Sequence, residues 1–170
     1  MLIQPNIKTP IIVMAPDLGG QNFGIAVGSG VISDIIDRSS ATVFADIVDC
    51  NIRAATAPTT GKFTIKVWTE DFSSFSFNSV SAGTFIEGTT VTLPYGNAPV
   101  AYEVDGVNMF DGATQKRLYP SFNVASLFAN RVPLSYRLIF LNNTDAVIQC
   151  GTLRFSNQLA VVTGMAAESI

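Results

Sequence analysis

The chain has 170 residues and a formal net charge of −3, a length that fits one domain with a sizeable core and needs no metal ion or disulfide to hold it. Charged residues make up only 14% and hydrophobic residues 48%, which indicates a large core or a surface partly committed to partners. The 10 basic residues are scattered, which excludes the basic stripe that nucleic-acid binding requires, and the chain has no histidine.

The first sixteen residues predict an extended arm, with residues 17–170 forming a single domain. Pro5, Pro10 and Pro16 remove backbone donors and disfavour helix. The arm's apolar residues, which we expect to make its contacts, are Leu2, Ile3, Ile7, Ile11, Ile12 and Val13. An apolar segment that cannot be helical must lie along an edge of its own sheet or along a neighbouring subunit.

The same prolines, with Lys8, interrupt any apolar run of the kind a secretory signal contains, so export by that route is not indicated. No membrane-spanning segment is predicted, since the longest nearly uncharged stretch, Leu18 to Ser33, is rich in glycine and too weakly apolar. That stretch also lacks a nucleotide-binding fingerprint: Ser33 stands where G-x-G-x-x-G needs its third glycine. It is interpreted as a glycine-rich loop or an irregular strand.

From residue 41 onward the hydrophobic period is close to two, which predicts strands. Gly61–Trp68 alternates most cleanly and puts Phe63, Ile65 and Val67 on one buried face. The other predicted strands are Thr42–Ile52, Ser74–Val80, Thr84–Leu93, Val100–Val104, Leu134–Leu141, Ala146–Phe155 and Gln158–Thr163.

Local turn signals predict two hairpins and a helix. Asp105-Gly106 would join Val100–Val104 to Val107–Phe110, and residues 142–145 would join Leu134–Leu141 to Ala146–Phe155. A short helix is predicted at Val124–Asn130, with Asn123 as its cap. The predicted fold is all-β: an antiparallel β-sandwich or barrel, jelly-roll-like, with an extended N-terminal arm and at most one short helix.

The missing histidine excludes Ser-His-Asp and Cys-His catalysis and ordinary zinc sites. Carboxylate chemistry needs two acids held together, and the candidates are Glu70-Asp71, Glu103 with Asp105, and Asp34 with Asp37. Glu103 and Asp105 alternate with apolar residues and are interpreted as a solvated face. We predict no catalytic residue, no cofactor and no metal site, and expect that the protein is not an enzyme.

The two cysteines, Cys50 and Cys150, lie far apart in predicted strands and favour buried free thiols, with a disulfide as the alternative. Trp68, Phe72, Phe75, Phe77 and Phe85 form the densest aromatic run. Core packing is the simpler interpretation of this run. The alternative is an interaction patch of Trp68, Phe72, Phe75 and Phe77, in which Phe75 and Phe77 share a strand face.

The chain resembles the small virion structural proteins of tailed bacteriophages, namely capsid decoration proteins and some neck and tail components. The resemblance is carried by the arm MLIQPNIKTPIIVMAP, the glycine-rich GGQNFGIAVGSG and the segment YRLIFLNNTDAVIQCGTLRF. It implies a β-sandwich that is made in the host cytoplasm, forms homo-oligomers (a trimer among the expected forms) and packs onto major capsid or other virion proteins through its arm.

The leading functional hypothesis is therefore a non-enzymatic capsid decoration or cement protein located in the virion. The alternatives are a carbohydrate- or receptor-binding module of the viral fibre-head type, which would use Trp68, and a neck or tail-tube component. Neither nucleic acid nor membrane is an expected partner.

Overall fold

Antiparallel strands dominate the computed structural model, which describes residues 3–14, 24–40, 42–70, 74–86, 94–110, 116–150 and 158–169. In chain order the strands are β1 (Ile3–Ile7), β2 (Ile11–Met14), β3 (Gly24–Ile25), β4 (Ser29–Ile32), β5 (Ile36–Asp37), β6 (Val43–Cys50), β7 (Ile52–Ala54), β8 (Gly61–Thr69), β9 (Gly83–Ile86), β10 (Val100–Asp105), β11 (Lys116–Leu118), β12 (Ser121–Asn123), β13 (Ser135–Thr144), β14 (Ile148–Cys150) and β15 (Gln158–Ser169). Helical elements are short: α1 (Ser74–Ser79) and 3₁₀ helices at Pro94–Asn97, Gly106–Asn108 and Val124–Leu127.

The strands form three open sheets. A five-stranded sheet has the order β1-β15-β6-β12, with β2 also paired to β15. A six-stranded sheet has the order β10-β8-β13-β4-β9, with β5 paired to β13, and a four-stranded sheet has the order β11-β7-β14-β3. Within the described ranges all strand pairs are antiparallel, so the predicted all-β antiparallel sandwich is confirmed.

One hydrophobic core draws on all three sheets. The five-stranded sheet contributes Val48 and Val162, the six-stranded sheet Ile65 and Leu138, and the four-stranded sheet Ile52, all fully buried. The predicted inward face of β8 is confirmed, since Phe63, Ile65 and Val67 belong to this core. The alternating period of β8 arises because this face packs on the sheet opposite.

The six-stranded sheet is covered on its other face as well. A second cluster of Ile32, Trp68, Phe77, Ile139 and Leu141 lies there, with α1 supplying Phe77. Seven consecutive residues of β13, 136–142, are buried, as expected when a central strand is covered on both sides.

A buried arginine attaches α1 to this face. Arg137, opposite Trp68 in the ladder, donates from Nε to the carbonyl of Ser33 (2.9 Å) and from Nη1 to the carbonyls of Phe77 (3.0 Å) and Val80. Its guanidinium carbon lies 5.9 Å from the centroid of the Phe77 ring, and burial lowers its pKa. The arginine thus satisfies carbonyls at the end of a helix too short to be stable alone.

A buried carboxylate links the five- and six-stranded sheets. Asp46 of β6 accepts bonds from Arg38 Nε (3.1 and 3.0 Å) and Nη2 (2.9 Å), and a 2.7 Å bond from the hydroxyl of Tyr136 in β13. Burial, followed by the charge of Asp46, raises the pKa of Tyr136, which keeps its hydroxyl a donor. The ion pair of Arg38 and Asp46 requires a glycine at position 164, which lies opposite Asp46 in the ladder. A Cβ at Gly164 would lie 3.0 Å from Arg38 Nη2 and from Asp46 Oδ1.

The prediction of a strand at Ser74–Val80 is wrong, because Ser74–Ser79 is the helix α1. The alternation of serine and phenylalanine is typical of a strand. Phe77, however, packs into the second cluster described above, and Arg137 binds the end of the helix. Tertiary contacts override the local period here. The predicted helix at Val124–Asn130 is a shorter 3₁₀ helix, Val124–Leu127, and its cap is confirmed: the Asn123 side chain accepts from Ala125 N at 3.0 Å.

Both predicted hairpins are wrong. Gly106–Asn108 is a 3₁₀ helix, and β10 pairs with β8. Residues 142–144 continue β13, and the next strand, β14, lies in the four-stranded sheet. The second hairpin is absent because Asn142 is accommodated inside a strand and not in a turn. Its buried amide donates to the carbonyls of Ile25 and Ala146, both at 2.9 Å.

Six other predicted strands are observed with different boundaries. They are Gly61–Trp68 (β8), Thr42–Ile52 (β6, with β7 beginning at Ile52), Val100–Val104 (β10), Leu134–Leu141 (β13), Gln158–Thr163 (β15) and, in part, Ala146–Phe155 (β14). Thr84–Leu93 overlaps β9, and its remainder, like residues 151–155, lies outside the described residues.

Replacing Asp46 by alanine should destabilise the fold strongly, because it leaves the buried guanidinium of Arg38 without a counter-charge. We expect the free energy of unfolding to fall by about 3–5 kcal/mol. Asp49→Ala is the matched control: it removes an exposed carboxylate from the same strand and should change stability by no more than about 0.5 kcal/mol. Urea unfolding measures both, and equal effects would contradict a special role for Asp46.

Candidate interaction surface

The predicted arm lies along its own sheet. β1 pairs with the end of β15, from Ile3 opposite Ser169 to Ile7 opposite Met165. β2 pairs with the start of β15, with Ile12 opposite Val161, and between the two strands Lys8 N donates to Gly164 O at 2.8 Å. Of the two predicted locations, the described part of the arm thus occupies the edge of its own sheet.

The arm's apolar residues differ in exposure. Ile7 is 66% exposed and Ile12 49% exposed, whereas Ile11 is half-buried and Val13 belongs to the core. Leu2 lies outside the described residues, as does the side chain of Ile3. Ile7 and Ile12 therefore remain open to a partner, and Val13 anchors the segment to its own domain.

These two isoleucines lie on an apolar sheet surface, which we call the outer face. It is the side of the five-stranded sheet turned away from the core, since residues opposite one another in the ladder share a side. Its described residues on β1, β2, β6 and β15 include Pro5, Ile7, Ile12, Ala45, Ile47, Asp49, Val161, Thr163, Met165 and Ala167. Among these ten, Asp49 alone is charged.

Only Ile7 and Ile12 of the outer face were identified from sequence as interaction residues. Val161 and Met165 were missed because β15 is apolar on both sides: Val161, Thr163 and Met165 alternate with the buried Val162 and its neighbours. The period-two signal cannot separate two faces of similar hydropathy.

Trp68 and Phe77 do not belong to a surface patch. Trp68 is 2% and Phe77 0% exposed, and their rings pack edge to face with centroids 5.1 Å apart. Phe72 and the side chain of Phe75 lie outside the described residues. The core interpretation applies to Trp68 and Phe77, and the interaction hypothesis for these two residues is wrong.

A second exposed area, also missed from sequence, surrounds Leu134. Leu134 is 72% exposed and, with Val43 and Val132, lines a depression of about 360 Å³ beside Arg38. The guanidinium of Arg38 is already bound to Asp46. The depression therefore offers mainly apolar contacts and hydroxyl groups.

The candidate acids are arranged as surface ion pairs and structural hydrogen bonds. Lys62 Nζ donates to Glu103 at 2.7 Å and lies 3.9 Å from Asp105, and the bond from Lys62 is the first cause that lowers the pKa of Glu103. A glycosidase acid needs a raised pKa, so Glu103 is poorly suited to that role. Its assignment to a solvated face is confirmed, since Lys62, Glu103 and Asp105 are all exposed.

The other acid pairs are likewise engaged or exposed. Glu70 accepts from Asn78 (3.0 Å) and from the hydroxyl of Ser135 (3.1 Å), which ties α1 to β13, while Asp71 lies outside the described residues. Asp34 and Asp37 are exposed, and hydrogen bonds from Ser39 lower the pKa of Asp37.

Cys50 is a buried free thiol, as predicted, and burial raises its pKa to about 12. A thiol with so high a pKa is a poor nucleophile and a poor metal ligand at neutral pH. The side chain of Cys150 lies outside the described residues.

The described ranges contain neither a cluster of metal-ligating side chains nor a helix that could span a membrane. No group of three or more cysteine, aspartate or glutamate residues comes together there as a metal site would require. No described helix has both the length and the apolar composition needed to cross a membrane.

Comparison with known proteins identifies no family. No family model matches the chain, and no curated protein matches it significantly. Among solved structures, it is similar to a chain of the Israel acute paralysis virus pentamer, with 16% identity over 98% of this chain and 68% of that chain. The TM-score is 0.25, a value that does not establish a common fold.

Trp68→Ala should now act on stability alone. Removing a buried tryptophan leaves a cavity, and we expect the free energy of unfolding to fall by about 3–5 kcal/mol. Phe44→Ala, at an aromatic residue that is half exposed, is the control and should have a small effect. Urea unfolding and glycan binding are measured together, and loss of sugar binding at unchanged stability would contradict the core role of Trp68.

The hydrogen bonds of Asp145 can be tested through its pKa. Its carboxylate accepts from the hydroxyl and N–H of Thr59 and from Thr60 N, and these bonds lower its pKa from 3.8 to about 2. The stabilisation is complete above pH 4 and is lost as the pH falls through 2, because the unfolded chain binds the proton first. In NMR titrations we expect the Asp145 carboxyl to titrate near 2, and nearer 3.8 in Thr59→Ala. An unchanged midpoint in the variant would contradict the assignment.

Proposed function

We propose that this chain is a non-enzymatic structural subunit of a virion, which acts by packing against copies of itself and against other shell proteins. The observation that carries the proposal is the outer face, where Ile7 and Ile12 are exposed and Asp49 is the one charged residue among the ten described residues named above. An extended apolar surface of this kind on a water-exposed sheet is typical of a protein–protein contact.

The chemistry of the described residues supports a packing role. Among the described candidate acids, Glu103 is paired with Lys62 and Glu70 accepts hydrogen bonds from Asn78 and Ser135, while Cys50 is buried with a raised pKa. The arginines Arg38 and Arg137 are committed to internal contacts, which leaves fewer cations for a phosphate backbone. What the described residues of the outer face offer a partner is mainly apolar area.

The finer proposal is a capsid decoration or cement protein, located on the virion and oligomeric, and it rests on the resemblance to small phage structural proteins. A neck or tail-tube component would use the same surface, and binding to capsids rather than tails separates the two. A sugar-binding module gains no support, because the tryptophan it would use lies beneath α1.

Ile7→Lys combined with Ile12→Lys should abolish self-association while leaving the monomer folded, because both residues are exposed and lysine is well tolerated on edge strands. Burying one isoleucine contributes at least about 1.5 kcal/mol. Losing two should therefore weaken association by at least about 100-fold. Sedimentation velocity measures the oligomer, and circular dichroism checks the fold.

The matched control is Ile86→Lys with Val107→Lys. These side chains are 62% and 64% exposed, lie outside the five-stranded sheet, and add the same charge. The control should assemble like the unmodified chain. If it dissociates equally, or if the unmodified chain is monomeric throughout, the outer face is not the assembly surface.

A further inference from the structure

We propose that residues 3–14 are exchanged between copies of this chain, so that β1 and β2 of one copy pair with β15 of another in the register seen within a single chain. The inference rests on the proposed function, because it specifies how copies join at the outer face. The occupant of the β15 edge in the assembly is then a second copy's N-terminal segment.

The first support is that the segment is bound through one strand. The ladder partners of β1 and β2 all belong to β15, in registers that run from Ile3 opposite Ser169 to Met14 opposite Gln158. The 2.8 Å bond from Lys8 N to Gly164 O joins the same strand. A segment bound along a single strand can be replaced by an identical segment without rearranging any other ladder.

The second support is that few side chains tie the segment to its own core. Gln4, Pro5, Ile7, Thr9 and Ile12 are exposed, and among the described side chains of residues 4–13 only Val13 is buried. The described segment is therefore attached by its ladder to β15 and by the packing of Ile11 and Val13 on the core. The same bonds form when the segment comes from a second copy, so exchange costs little in contacts.

The third support is that the β15 edge requires an occupant. β15 is held on its other side by β6, from Ala160 opposite Cys50 to Ala166 opposite Val43, so it stays in the body of the sheet. An unpaired edge of this length exposes a row of backbone donors and acceptors and invites pairing. The segment whose fit to that edge is already established is residues 3–14, with Pro5 and Pro10 where a ladder donor is dispensable.

The single chain, in which residues 3–14 pair with their own β15, and the exchanged form have the same ladder. Their relative stability therefore depends on contacts that are made only in the assembly. Nine residues, 15–23, join β2 to β3, and a chain of that length can span up to about 30 Å. The proposed packing of copies at the outer face would bury Ile7 and Ile12, which the single chain leaves exposed. That burial favours the exchanged form.

Disulfide trapping with cysteines on separate chains tests the exchange. One chain carries Ile7→Cys and a differently tagged chain carries Met165→Cys, residues that are opposite in the ladder. The two are mixed unfolded, refolded together and oxidised, and the assembled fraction is run on a non-reducing denaturing gel. Exchange predicts a disulfide-linked heterodimer, since neither chain holds both new cysteines.

The register control pairs Ile7→Cys with Val161→Cys, whose ladder positions lie four residues apart, or about 13 Å along the strand. It should give no linked dimer, and the unmodified chain run alongside reports any link through the native cysteines. A single chain with both Ile7→Cys and Met165→Cys, oxidised as a dilute monomer, should form the link internally.

The outcomes separate the exchange from the proposed function. A heterodimer at 7 and 165 but not at 7 and 161 supports exchange. Normal assembly by sedimentation with no heterodimer overturns exchange and leaves the proposed function standing. A chain that stays monomeric at every concentration overturns both, and equal links at 165 and 161 overturn the ladder exchange in favour of loose contact.

Discussion

The buried carboxylate of Asp46 is the constraint on which the sandwich depends. It lies on the five-stranded sheet, receives a hydroxyl from the six-stranded sheet and neutralises Arg38, which follows β5. A charge buried without partners costs several kcal/mol, so separating these three groups would destabilise the fold. The network thereby specifies how the two sheets align, and Gly164 is the small residue that makes room for it.

The two large sheets differ in how they are covered, and this difference places the candidate surface. The six-stranded sheet has its outer side closed by α1, with Arg137 bound to the end of that helix. No described helix covers the outer face of the five-stranded sheet, where Ile7 and Ile12 are exposed, and the N-terminal segment forms the edge of that sheet. An apolar sheet surface with exposed isoleucines, beside an edge segment that we propose to be exchanged, is suited to joining one subunit to the next.

Strands with clear alternation could be predicted from the sequence, because β8 and β10 each have one apolar and one polar side. The arm could be predicted too, since three prolines in an apolar segment exclude helix. Which strands pair with one another could not be predicted, as the hairpin expected at residues 142–145 shows. Asn142 is typical of a turn, but within a strand its amide donates to the carbonyls of Ile25 and Ala146. The strand predicted at Ser74–Val80 was wrong for a similar reason. Its alternating sequence resembles a strand, but contacts of Phe77 with Arg137 and Trp68 stabilise a helix there.

What the sequence by itself determined is the class of the protein: an all-β chain, poor in charge and lacking histidine, with an extended N-terminal segment. These properties are local or compositional, so they need no knowledge of partners. Only the tertiary structure decided which apolar residues are core and which are surface. Val13 and Ile12 are neighbours of similar hydropathy, and they differ in exposure because pairing with β15 points one side chain toward the core and the other toward solvent. Burial is a property of the assembled sheets, and no local pattern encodes it where both sides of a strand are apolar.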